Sequence, residues 1–158
     1  MGSTLTHLVY HIVFSTKGRQ NIVTPALRET MHPYIGGIPS APLRAGIRGG
    51  KGAMLKIGGT MDHIHILASL PPTLSVSEAL RRIKGNSSKW VNEGGRKEAH
   101  FEWQRGYGAF TVSESMIETV SRYIENQEEH HRVKCFKEEY LILLQKHGVK
   151  YDERYIWD

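Results

Sequence analysis

The chain has 158 residues, 39% of them hydrophobic, enough for one domain with its own core and too few for two, so a single domain over 1–158 is expected. The net charge of +5 is modest but uneven: residues 1–60 carry seven Lys/Arg against one acid, Glu29, a bias that suits a polyanion such as nucleic acid. Apolar runs of only a few residues and an amino terminus without the pattern of a secretory signal argue against a membrane span or export, and the lone Cys135, read as a small apolar residue, fits a reducing cytoplasmic setting.

The stretch THLVYHIVFST, residues 6–16, alternates with β-branched and aromatic residues and predicts a strand. TPALRETMHPYI predicts a helix capped by Thr24, with Pro25 at its first position and an end near Gly36. After a Gly-, Pro- and Arg-rich loop, AMLKIGG and HIHILASL predict two strands joined by a tight turn around Met61 and Asp62. SVSEALRRIKGNSSKWVNE opens with Ser75 and Glu78 at capping-box spacing and predicts a helix weakened at Gly85. YGAFTVS predicts a fourth strand, SESMIETVSRYIENQEEHH a long helix opened by Ser113 or Ser115, and KEEYLILLQKH a last helix stopping at Gly148. Strand, helix, strand, strand, helix, strand is the order of the split βαβ, ferredoxin-like fold. The expected class is α+β, an antiparallel sheet with helices on both faces and extra C-terminal helices.

The segment DHIHIL, residues 62–67, sets two histidines one residue apart in a strand. Side chains alternate across a sheet, so Ile64, Ile66 and Ala68 face one side while His63 and His65 face the other, about 7 Å apart at the backbone. Both imidazoles then reach one divalent ion, but two ligands do not make a site without a third. An oxygen donor beside a reactive group occurs in YIENQ: Tyr123 and Gln127 are four apart, hence on one helical face, with Met116, Val120 and His130 along the same stripe. Taken alone, each pair has an ordinary reading, two half-buried polar residues on a wet face and a core tyrosine beside a solvated glutamine.

Together these residues resemble those of the HUH-type single-tyrosine transposases of the smallest bacterial and archaeal insertion sequences. DHIHIL is similar to their histidine, hydrophobe, histidine motif; YHIVFSTKGR, LRRIKGNSSKW, WQRGYGAFTVS and SRYIENQEEHH resemble their first strand, second helix, approach to the fourth strand and nucleophile helix, and FKEEYLILLQKHGVKYDERYIWD their closing segment. The resemblance implies a homodimer that cleaves and rejoins single-stranded DNA with hairpin ends. By position it puts metal ligation on His63, His65 and Gln127 and the nucleophile on Tyr123, with the nucleophile carried by the C-terminal helices.

The chemistry suits these residue types. Attack of a phenol on a phosphodiester gathers negative charge on the nonbridging oxygens, which a divalent ion stabilises while aligning the phosphate. Imidazole and amide ligands leave such an ion its full charge, and the mixed donors suit Mg²⁺ or Mn²⁺. Ionising a tyrosine at pH 7 costs about 4 kcal/mol, and the sequence names no base for it. The product implied is a 5′ phosphotyrosine and a free 3′ hydroxyl.

Tyr107 in RGYGAF is a competing nucleophile, assigned to structure or stacking. His130 and His131 read as exposed helix histidines, His7 and His11 as structural, and Asp62 as a turn residue or an orienter of a histidine. Candidate DNA contacts are Lys17 and Arg19 after the first strand, Arg44, Arg48 and Lys51 in the glycine-rich loop, and Arg81, Arg82, Lys84 and Lys89 on the second helix. Trp90 and Trp103 read as core residues or base-stacking platforms. GIRGGKG lacks the first glycine and the Ser/Thr of a phosphate-binding loop, so no nucleotide cofactor is expected. The alternatives are a noncatalytic ferredoxin-like module that grips single-stranded nucleic acid, and a domesticated or replication-type relative using the same chemistry.

Overall fold

The computed structural model describes residues 5–37, 52–94 and 100–157. Its elements are β1 (Val9–Ser15), α1 (Pro25–Gly37), β2 (Ala53–Gly59), β3 (His63–Ser69), α2 (Val76–Glu93), β4 (Gly108–Thr111), α3 (Ile117–Glu125), α4 (Gln127–His131) and α5 (Phe136–Lys146). The strands form one antiparallel sheet in the order β2-β3-β1-β4, which confirms the expected split βαβ arrangement. Arg44, Arg48 and Lys51 lie outside the described residues.

Strand alternation divides the molecule into two faces. Ile12 and Phe14 of β1 and Ile64, Ile66 and Ala68 of β3 point to one side, where Met31 and Ile35 of α1 and Leu80 and Ile83 of α2 close over them. All are essentially inaccessible to water, and each of the larger side chains, Ala68 apart, contributes about 1.5–3 kcal/mol by its removal from solvent. The α2 helix begins where Ser75 accepts a hydrogen bond from the Glu78 backbone N–H at 3.2 Å. It runs unbroken through Gly85, because the apolar stripe holding it to the sheet outweighs the roughly 1 kcal/mol cost of one glycine.

The opposite face carries His11, Val13, His63, His65, Leu67 and Phe110, and α3, α4 and α5 cover it. Ile124 of α3 packs on Val9, Leu67 and Val112, while Phe136, Tyr140, Leu143 and Leu144 of α5 pack on Val13 and Phe110. Gly58 permits the close approach of α3: a Cβ there would stand 2.2 Å from the Ile124 carbonyl oxygen. Here the structure corrects the expected long helix. A 3-10 turn at Glu114–Met116 precedes α3, and Asn126, with φ −94° and ψ 24°, interrupts the helix between Tyr123 and Gln127. Met116 is exposed, so the stripe proposed to run through it does not continue into the packed face. Among the described residues, no helix is long and apolar enough to cross a membrane.

Candidate active site

The hairpin of β2 and β3 fixes the first part of the site. Asp62, in its turn, lies 2.6 Å from His63 Nδ1, and the Thr60 hydroxyl is 3.0 Å from both the same nitrogen and Asp62 Oδ1. With Nδ1–H donating to the carboxylate, His63 Nε2 presents a lone pair. Burial tends to raise the Asp62 pKa, but its hydrogen bond and charge interaction with His63 prevail and hold it below the ordinary carboxylate value.

His65 stands next along the strand on the same face, its ring centroid 5.2 Å from that of His63. Its Nδ1 is 2.9 Å from His11 Nε2 of β1, and its Nε2 is buried without a hydrogen-bond partner. Burial above all, opposed by Glu139, lowers His65 to about 4; burial and His65 lower His11 to about 3. Both imidazoles are therefore neutral near pH 7.

Gln127, at the start of α4, is 1% exposed. Its amide is oriented by its donor end: Nε2 donates to Glu139 Oε1 at 3.0 Å and to the Tyr123 carbonyl oxygen at 3.4 Å, which leaves Oε1 3.0 Å from His63 Nε2. Tyr123, half-buried on α3, holds its ring 5.8 Å from that of His65 and 6.0 Å from that of His11. The sheet's histidines, the amide and the phenol of one chain thus converge.

Glu139 of α5 is the residue that sequence reasoning missed. Only 6% exposed, it accepts hydrogen bonds from the Tyr123 hydroxyl and from Gln127, pairs with His131 Nε2, and lies 3.3 Å from His65 Nε2 and 3.8 Å from His63 Nε2. The contact with His65 lacks hydrogen-bond alignment, which is why that nitrogen remains unpartnered. One atom each from His63, His65 and Glu139 lie within 4.8 Å of one another. Burial raises the carboxylate's pKa, but His131, His65 and Tyr123 outweigh it and keep Glu139 well below the usual range. Burial first, then Glu139, pushes the Tyr123 phenol well above the usual tyrosine value, so its proton rests on Oη. A sequence signal existed: Glu139 falls on the helical face of Phe136, Tyr140 and Leu143, where a charge has no place without partners.

His131 also departs from the exposed role expected for it, since its ring lies 4.4 Å from that of His63 and its Nε2 meets Glu139. His130 is exposed, as expected, with its ring 4.8 Å from Tyr123. Cys135 is exposed at the start of α5 and is not an apolar core residue; its backbone N–H donates to Glu138. Tyr107 packs at the edge of the first core with Lys84 over its ring, which suits the first of the two roles, structure or stacking, expected for it. Trp103 is buried and donates to Ser87 Oγ at 2.9 Å, whereas Trp90 stacks on Tyr34.

The candidate DNA contacts are dispersed. Lys17 pairs with Glu102, Arg19 lies over Trp157, Arg81 and Arg82 both pair with Glu78, and Lys89 is 3.7 Å from Glu93. Lys84 donates to the carbonyls of Arg105 and Gly106, and burial lowers it to about 8. By contrast, Tyr123 lies between two cavities of about 570 and 510 Å³, both also lined by Leu143 and Lys146.

Residues 4–127 match the model of a protein family described as "Transposase IS200 like". Two solved structures share the fold. A protein provisionally called a transposase, from Deinococcus radiodurans R1, aligns at TM-score 0.60 and 20% identity over 80% of this chain and 95% of its own. A REP-associated tyrosine transposase bound to a REP hairpin aligns at TM-score 0.54 and 13% identity over 83% of this chain and 74% of its own. No curated protein matches the chain.

Proposed function

The chain belongs to the IS200-like transposase family, and from that premise we propose that it cleaves and rejoins single-stranded DNA through a covalent bond between Tyr123 and a 5′ phosphate, with a divalent cation as cofactor. The observation that carries this reading is the meeting of the Tyr123 hydroxyl, His63, His65, Gln127 and Glu139 in one buried cluster.

The donor set fits a cation. His63 Nε2 and Gln127 Oε1 meet at 3.0 Å, and with Asp62 accepting from His63 Nδ1 and the Gln127 donors directed to Glu139 and Tyr123, both atoms would turn a lone pair to a cation. His65 Nε2 is buried with no partner and faces a carboxylate oxygen. Inward lone pairs of this kind are costly when nothing positive lies among them. His63, His65, Gln127 and Glu139 would hold the ion, two nitrogens and two oxygens being a set that suits Mn²⁺ and admits Mg²⁺. Bound there, the ion supplies positive charge to the phosphate oxygens.

The chain's own groups account for the rest. Tyr123 Oη forms a bond to phosphorus as the bond from phosphorus to the 3′ oxygen breaks. Glu139 Oε1, the acceptor of the phenol hydrogen bond, takes the proton, and the departing 3′ oxygen leaves as a hydroxyl after taking up that proton or one from water. The phosphotyrosine retains the energy of the original diester, so a different 3′ hydroxyl attacks it in the reverse sense and joins strands without ATP. Hairpin-ended strands are the proposed substrate, in keeping with the hairpin bound to the REP-associated relative, and the proposed working unit is a homodimer.

The test is mass spectrometry of peptides after incubating the protein with a hairpin-bearing single strand and Mn²⁺. An oligonucleotide on the Tyr123 peptide, absent from a Tyr123→Phe variant that still binds the hairpin, is the expected result. A normal adduct in that variant, or one mapped to Tyr107, overturns the assignment.

A further inference from the structure

His11 is a polar residue of the covered sheet face to which the proposed chemistry gives no task. It occupies the central strand β1 and is 3% exposed, a position where an aliphatic side chain would ordinarily pack. Its surroundings fix its orientation: the ring stacks on His65 at a centroid distance of 5.1 Å and meets Phe110 and Tyr123 edge-on at 6.3 and 6.0 Å. Its Nε2 is 2.9 Å from His65 Nδ1.

A neutral imidazole carries one proton on one of two nitrogens, and the hydrogen bond made by one nitrogen decides what the other can do. His65 has two such nitrogens in different circumstances. Nδ1 has a partner in His11, whereas Nε2 is buried, unpartnered and directed into the cluster with His63 and Glu139. If the proton sits on Nδ1 and is donated to His11, then Nε2 is a bare lone pair. If it sits on Nε2, that nitrogen offers nothing to a cation. His63 is arranged the same way by Asp62, but there the acceptor is an adjacent carboxylate, while for His65 it is a histidine from the neighbouring strand.

We infer that His11 is the positioning residue for His65: by accepting the Nδ1–H of His65 at its own Nε2, it fixes the tautomer whose Nε2 is free to bind the divalent cation. This rests on the cation site proposed above and adds to it a residue that touches neither ion nor DNA. A leucine at position 11 would fill the space and leave His65 Nδ1 unpaired, so the proton would be free to move to Nε2. A glutamine would restore an acceptor oxygen.

The test uses the full chain without DNA. Mn²⁺ affinity is measured by calorimetry for the wild type, His11→Leu and His11→Gln, with thermal melts to establish folding, and long-range ¹H–¹⁵N spectra of the metal-free wild type report the His65 tautomer. The expected results are a proton on Nδ1, Mn²⁺ binding weakened about 10–100-fold in His11→Leu, and recovery toward the wild-type value in His11→Gln. Equal affinities in all three proteins, or a proton on His65 Nε2 in the wild type, overturn the inference and leave the proposed function standing. Failure of the wild type itself to bind Mn²⁺ overturns the cation reading and this inference with it. Should His11→Leu not fold, the tautomer and His11→Gln decide alone: Nδ1–H with near-wild-type affinity upholds the role, and Nε2–H removes it.

Discussion

The hydroxyl of Tyr123 donates its hydrogen bond to Glu139, sixteen residues further on and in a different helix. The same carboxylate accepts from Gln127 and His131, so one buried anion ties α3, α4 and α5 together over the histidines of β3. The proposed nucleophile is thereby stored as a neutral phenol.

Glu139→Gln keeps the shape and removes the charge. The Tyr123 phenol, which burial and Glu139 hold above the ordinary tyrosine value, shifts downward in this variant, as tyrosine ring-carbon NMR across pH would show. Adduct formation with DNA is expected to fall at least about tenfold, because proton acceptance and cation binding both lose a charged oxygen. An adduct rate equal to that of the wild type would remove Glu139 from the chemistry.

Gly58→Ala tests how α3 is seated. The added Cβ meets the Ile124 carbonyl at 2.2 Å, so α3 has to lift from β2 and carry Tyr123 with it. A loss of about 1–3 kcal/mol by urea unfolding is expected, together with loss of cleavage. Gly85→Ala, in α2 with nothing within 4 Å of the new Cβ, is the counterpart and stabilises by roughly 0.5–1 kcal/mol.

Acid sensitivity follows from the buried histidines. Burial first and the Arg28 charge second hold His32 at about 4, and His11 is held at about 3. Both take up a proton near pH 6.5 once unfolded, so the unfolded chain binds more protons below that pH and stability falls as pH is lowered toward 4. Between pH 7 and 5 the loss is about 2 kcal/mol for each fully shifted histidine. Asp62 and Glu139, also lowered, act in the same direction only below about pH 4.5, the range of ordinary carboxylates. Urea melts at pH 7 and 5 check this, and His32→Gln should flatten the slope; a wild-type protein equally stable at both would contradict it.

Asp62→Ala removes the carboxylate that accepts from His63 Nδ1. Thr60 Oγ1 remains 3.0 Å away as a substitute acceptor, so Mn²⁺ affinity is expected to drop about tenfold, near the lower end for loss of an orienting partner. Calorimetry gives the answer, and a tenfold loss in Asp62→Ala with none in Asp62→Asn would place the effect in the acceptor oxygen.

The sheet and the histidine pair were legible because strand alternation is a strict period of two. Once Ile64 and Ile66 are assigned to the core, His63 and His65 have to share the other face. Ser75 and Glu78 marked the start of α2 for an equally local reason. The burial of Glu139 could be read from the helical face it shares with Phe136, Tyr140 and Leu143, but its partners and the role of His131 could not, because they depend on how α5 folds back across the sheet, a contact between segments that no periodicity encodes. The break at Asn126 was hidden likewise: its neighbours continue a helical pattern, while α3 packs over β2 and β3 and α4 over β2 on either side of it.

The two faces of the sheet answer to different demands. Apolar side chains beneath α1 and α2 hold the backbone in place and tolerate exchange of one aliphatic group for another of similar volume. Phenol, amide, imidazoles and carboxylate sit across the sheet from them, with smaller apolar clusters of their own. Drift in the scaffold therefore need not disturb the buried polar cluster, and the two solved structures that share this fold are only 20% and 13% identical to the chain.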